Sequence, residues 1–136
     1  MLYPMFGMIL LTLAVAGRLL FLRIRAVKSG QVRLSQFRLN QSDNVPDAII
    51  QASRNYTNLF EIPVLFYAAG CIAVAKNQES LALVILGWLF VLIRAWHSWI
   101  HLTHNNVITR MRAFLASNLC VLAIWIILLI NHIQQA

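Results

Sequence analysis

Arg54, Asn58 and Glu61 lie four and three residues apart, directly ahead of the apolar run I-P-V-L-F-Y-A-A-G-C-I-A-V-A. On a helix that advances about 100° per residue they fall within about 60° of one another and form one polar stripe. Polar and ionisable groups at membrane depth face the bundle interior or a wet cavity, which makes this stripe a candidate functional surface. A second stretch, R-A-W-H-S-W-I-H-L-T-H, spaces Arg94, His97, His101 and His104 by three, four and three, again on one helix face. Arg94 is the only charge in its apolar segment, which makes Glu61 and Arg94 natural ion partners across two helices. A third element, R-M-R, supplies Arg110 and Arg112. An arginine there either anchors the chain at the membrane surface or turns inward and stabilises an anion in a dry pocket.

Other chemistries fit less well. The chain has four acidic residues, too few to offer two paired catalytic carboxylates, and Ser98 and Ser117 lack the surroundings of a serine hydrolase. The pattern H-x-x-x-H-x-x-H puts three imidazoles on one face, which suits zinc or haem iron. Histidine-rich di-iron membrane enzymes, however, use several such boxes, and this chain has four histidines in all. Pocket or interface hydrogen bonding is therefore the reading of these histidines, and no metal ligand is assigned. The alternative for the whole constellation is an interhelical clamp that serves assembly only.

The elements that must position these residues are membrane spans. Of 136 residues, 60% are hydrophobic and 11% charged, with a mean hydropathy of +0.72; a soluble domain carries about a quarter charged residues. Four stretches match the roughly 20 residues needed to cross a bilayer. They are Leu2 to Leu22, with Arg18 near its end, about Tyr56 to Ala75, about Leu81 to Ile100, and Ala113 to Asn131. The first is long for a signal-peptide core and no basic segment precedes it, so it reads as a retained helix. The expectation is a single all-α integral membrane domain over residues 1–136, a four-helix bundle with helices at about 2–22, 45–75, 81–104 and 110–131.

Local signals refine these boundaries. The first helix is expected to end where R-I-R-A-V-K-S-G begins, with Ser29-Gly30 as the stop. Asp43 or Asn44 is the expected cap of the second, with Pro46 in its first turn, so that its start projects beyond the membrane. Pro63 should bend this helix near Leu59, whose carbonyl loses its donor. The five-residue connection K-N-Q-E-S makes the second and third helices antiparallel neighbours. Cys71 and Cys120 fall within spans and read as small packing residues rather than a disulfide.

The net charge of +7 is distributed by loop. Arg23, Arg25, Lys28, Arg33 and Arg38 are assigned to the first loop, Arg110 and Arg112 to the third, while Lys76 in the second is offset by Glu79. The positive-inside rule then makes the first and third loops cytoplasmic and puts both termini on the other side. The basic loops serve topology and contact with anionic membrane lipids; no nucleic-acid partner is implied.

With these residues in place, the chain resembles the MAPEG family, the membrane-associated proteins in eicosanoid and glutathione metabolism, and is most similar to its small bacterial-type members. The likeness covers the four-helix layout and is most specific at R-x-x-x-N-x-x-E-x-P, here Arg54, Asn58, Glu61 and Pro63. Microsomal glutathione transferases and leukotriene C synthase carry arginine, asparagine and glutamate at this spacing. The stretch R-x-x-H resembles a prostaglandin E synthase segment in which an arginine sixteen residues further on performs the chemistry; sixteen beyond Arg94 is Arg110. The likeness departs at His101, where better-known members have tyrosine, and at Met111, where the prostaglandin synthase has serine.

The resemblance implies a homotrimer with pockets at subunit interfaces, each opening toward the cytoplasm. It implies glutathione as co-substrate, held by Arg54, Asn58 and Glu61 with Arg94, His97 and His101 lining the same pocket, and Arg110, in preference to Arg112, as the catalytic residue that stabilises the thiolate. The expected function is that of a glutathione-dependent transferase or peroxidase acting on hydrophobic electrophiles, either small molecules or lipids. The expected location is a bacterial inner membrane, with the endoplasmic reticulum as the alternative. The alternative function is a non-catalytic membrane protein that binds a lipid or another anionic ligand in the same pocket. Phe60, Phe66, Trp88, Trp96 and Trp99 are left open between substrate, lipid and subunit contacts, with core or lipid contact the preferred reading of each.

Overall fold

A computed structural model describes residues 1–34, 37 and 45–135. The chain order is α1 (Leu2–Lys28), α2 (Asp47–Asn58), α3 (Ile62–Ala75), α4 (Leu81–Leu102) and α5 (Val107–Gln135). Taken as one bent element, Asp47–Ala75 joins α1, α4 and α5 as four spans long and apolar enough to cross a membrane.

The outer surface is what lipid requires. Leu2, Phe6, Leu10, Leu13, Leu65, Ile85, Leu92, Leu119, Leu122 and Ile126 are all exposed. Apolar area on this scale needs a hydrocarbon solvent, and helices are suited to it because they satisfy their backbone groups internally. Inside, Met8, Phe66, Leu83, Phe90 and Ile124 have no accessible surface and form the main core, with Phe66 stacked on Phe90 at 4.5 Å. α1 packs on α3 and α4, α4 packs on α5, and α5 closes the ring on α3. Close approach of α1 to α4 depends on Gly87, where a Cβ would come within 3.0 Å of Pro4 Cβ.

Several expected helix boundaries shift. α1 does not stop near Leu22 but continues to Lys28, so Arg23, Arg25 and Lys28 are helical rather than loop residues. A second small core explains the extension: Leu19 and Ala26 of α1 pack with Val32, Val45, Ile49 and Ala52, beyond the main core. The basic groups near this end also complement the helix dipole. Ser29 and Gly30 do terminate it. Gly30 has φ +71°, and the amides of Gly30 and Gln31 bond the carbonyls of Val27 and Ala26, closing a Schellman motif. Tertiary packing, not the membrane boundary, decides this helix length.

α2 begins at Asp47, with Pro46 in the cap position rather than the first turn. The expected caps Asp43 and Asn44, like Arg38, lie outside the described residues. α4 ends at Leu102, which leaves His104 beyond it. α5 starts at Val107, where Asn106 Oδ1 accepts from the Thr109 amide at 3.0 Å and supplies the cap.

Pro63 does more than bend its helix. Lacking an N–H, it leaves the Leu59 carbonyl without its usual donor, and the chain tightens through i−3 bonds from Leu59 to Tyr56 and Phe60 to Thr57. Glu61 leaves helical geometry at φ −90°, ψ −92°, and α3 begins anew at Ile62. Both halves of the broken span pack on α1, and across the break the other neighbour changes from α4 for α2 to α5 for α3.

Candidate functional site

At the end of the bundle where α2 leans onto α4, a cleft of ≈ 640 Å³ opens between α2, α4 and α5. That volume is in the range of small-molecule sites, about 300–1,000 Å³. One wall is polar: Ser53, Arg54, Thr57, Asn58 and Glu61 come from α2 and the break that follows it. His97 and His101 of α4 form the floor, and Val107, Arg110, Met111 and Phe114 of α5 form the opposite wall. The cleft is amphipathic: α2 and the break bring Arg54 and Glu61, and α5 sets Arg110 among the apolar Val107, Met111 and Phe114.

The stripe on α2 follows from helical pitch, but Glu61 joins it by another route. It stands past the end of α2, and Asn58 Nδ2 donates to Glu61 Oε2 at 3.0 Å. Arg54 and Glu61 are exposed to the cleft, whereas Asn58 is half-buried.

Arg94 occupies a different place from the one expected. It has no accessible surface and is absent from the cleft wall. One of its terminal nitrogens, Nη2, donates to the Asn58 carbonyl at 2.8 Å and to Asn58 Oδ1 at 2.6 Å. The expected Glu61–Arg94 ion pair is therefore replaced by a relay in which Asn58 bridges the two. The physical reason is the break: it exposes the last carbonyls of α2, and a buried guanidinium is a strong donor for them.

Beside this relay is a pair that the spacing analysis missed. Asn55 and Ser98 are both buried, and Ser98 Oγ donates to Asn55 Oδ1 at 3.2 Å. Ser98 lies one turn beyond Arg94, so α4 presents two polar groups in succession to α2. The available signal was an uncharged polar residue at the same pitch as a charged one.

Arg110 is half-buried, and its Nη1 donates to Asn105 Oδ1 at 2.7 Å and lies 3.3 Å from His101 Nε2. Asn105 reaches it from a left-handed backbone conformation, φ 48°, which asparagine tolerates better than most residues. The dipeptide Asn105-Asn106 is a turn signature, and each side chain acts at the start of α5, one on Arg110 and one as cap. Arg112 is exposed and outside the cleft.

The histidines separate. His97 and His101 are buried in the floor with ring centroids 6.0 Å apart. His104, past the helix end, is exposed and meets Thr103 Oγ1 at 3.1 Å. The three imidazoles therefore do not share one face. Among the described residues, no three His, Cys, Asp or Glu side chains gather as metal ligands would. Of the aromatic residues left open, Phe66 is core while Phe60, Trp88, Trp96 and Trp99 are exposed. Cys120 is buried, Cys71 is exposed, and both are free thiols.

The MAPEG family profile matches residues 1–130, which spans all five helical segments almost to the end of α5. The chain belongs to the MAPEG family. It is therefore an integral membrane four-helix bundle of a family concerned with glutathione and eicosanoid metabolism, one that includes glutathione transferases and related enzymes. No curated protein and no solved structure matches the chain significantly. Within this MAPEG protein, the cleft brings the Arg54–Asn58–Glu61 stripe and Arg110 together.

Proposed function

We propose that this MAPEG protein is a glutathione-dependent transferase or peroxidase that acts on hydrophobic electrophiles entering from the bilayer. The observation that carries the reading is Arg110, fixed by Asn105 and His101 on the wall opposite the Arg54–Asn58–Glu61 stripe. In the proposed mode of binding, Arg54 takes a glutathione carboxylate, Glu61 takes the amine and Asn58 bonds the peptide. The thiol then lies toward α5, near Arg110. A free thiol of pKa about 8.5 is only a few per cent ionised at neutral pH, and a neighbouring guanidinium raises the thiolate fraction. In the transferase reaction the thiolate sulfur forms a bond to the electrophilic carbon as the leaving group departs with the bonding pair. Met111 and Phe114 offer apolar contact to that second substrate.

His97 and His101 line the floor of the proposed site, while Arg94 acts through Asn58 rather than on the ligand. A homotrimer with both termini on the non-cytoplasmic side, and a bacterial inner membrane as its location, belong to the same proposal. They rest on the family likeness and on the basic residues near the cleft end of α1.

Calorimetry in detergent with glutathione, and conjugation of a chloronitrobenzene substrate, test the reading. Saturable glutathione binding with turnover supports it, whereas no binding at millimolar glutathione sinks it. Retention of an anionic lipid in the cleft without thiol competition would favour the non-catalytic alternative.

A further inference from the structure

A second groove, of ≈ 350 Å³, lies between α1 and α4 and is separate from the cleft. Leu11, Ala14, Val15 and Arg18 of α1 repeat at helical pitch, and Ala95, Ser98, Trp99 and Leu102 of α4 do the same. The α1 stripe is apolar at one end and reaches Arg18 at the other, and on α4 Ser98, Trp99 and the cap residue Thr103 bring polar groups to the groove near the helix end. Arg18 is exposed and has no hydrogen-bond or ion-pair partner among the described residues, and the Trp99 indole N–H has none either. Both groups are donors only. A cation carried on a span is costly unless it reaches an anion or the interface.

We infer that this groove is a binding site for one anionic phospholipid, with its phosphate on Arg18 and the Trp99 N–H and an acyl chain along Leu11, Ala14 and Val15. Charge complementarity selects this occupant: the groove offers two donors that have no acidic partner among the described residues, above an apolar floor. The polar end also lies on the side toward Arg23, Arg25 and Lys28, the more basic end of α1. The site does not depend on the activity proposed for the cleft.

Native mass spectrometry of the intact protein, titrated with phosphatidylglycerol or with phosphatidylcholine of the same chain length, tests the assignment. The expected result is a phosphatidylglycerol preference of about fivefold, equivalent to the roughly 1 kcal/mol of one basic residue at an anionic surface. Arg18→Gln should abolish the preference and Trp99→Phe should reduce it, with circular dichroism unchanged, while Arg25→Gln should leave it intact. Equal binding of the two lipids, or equal losses for Arg18→Gln and Arg25→Gln, would overturn the site. So would dissociation of an oligomer by Arg18→Gln with lipid preference retained, since the groove would then be a contact between copies.

Discussion

Arg94 and Asn58 are joined by two hydrogen bonds from one guanidinium nitrogen, 2.8 Å to the carbonyl and 2.6 Å to the side-chain oxygen. Asn58 in turn donates to Glu61. A fully buried charge on α4 thus closes the end of α2 and orients the residue that faces the cleft. Arg94→Met should destabilise the protein by about 2 kcal/mol, because both acceptors lose their charged donor. Arg94→Lys should recover only part, since a single ammonium lacks the fork of the guanidinium. Thermal unfolding in detergent reads this directly; equal stability of all three proteins would contradict the cap.

The Asn55–Ser98 bond should be measurable as a coupling. Ser98→Ala leaves Asn55 Oδ1 without its partner in the interior. Replacing both residues by apolar ones, Asn55→Leu with Ser98→Ala, should cost less than the two single changes summed, with a coupling of about 1 kcal/mol. Additive effects in the double-mutant cycle would mean that the bond contributes nothing.

Pro63→Ala returns the missing N–H and should allow α2 and α3 to join. A continuous helix from Asp47 to Ala75 spans about 42 Å at 1.5 Å per residue. Spin labels at these two exposed positions, in a background without Cys71 and Cys120, should therefore report a longer separation in the variant than with Pro63 present. Glutathione affinity should fall at the same time, because straightening returns Glu61 from φ −90°, ψ −92° to helical geometry and so re-aims its carboxylate. An unchanged distance would show that packing of α2 on α4, and not the proline, holds the break.

Arg110→Gln should lower conjugation by about 10²-fold, the scale of losing one charge-stabilising donor, with a much smaller effect on glutathione binding. The pH at which the rate is half-maximal should also rise, since thiolate formation then lacks the guanidinium and returns toward about 8.5. Arg112→Gln, at an exposed position outside the cleft, should resemble the parent protein in both respects. Equal losses from the two variants would remove the distinction between them.

The four spans, the polar stripe on α2 and the disturbance at Pro63 were legible in the chain, because each depends on local properties. Hydropathy needs only about 20 neighbouring residues, helical pitch turns spacing into a face, and a missing N–H acts four residues away. The extension of α1 to Lys28 was not legible, because Leu19 and Ala26 are held by Ile49 and Ala52 across the chain.

The roles of the arginines divide in the same way. Sequence alone determined that Arg54 and Asn58 share a face, that Arg94 and His97 share another, and that Arg110 or Arg112 opens the last span. Only the tertiary structure decided that Arg94 turns to the end of α2, that Arg110 enters the cleft while Arg112 does not, and that His104 leaves the face of His97 and His101. Spacing sets the angle of a side chain about its own helix axis. Which partner lies in that direction depends on how each helix is rotated and where it ends, and contacts between distant parts of the chain determine both.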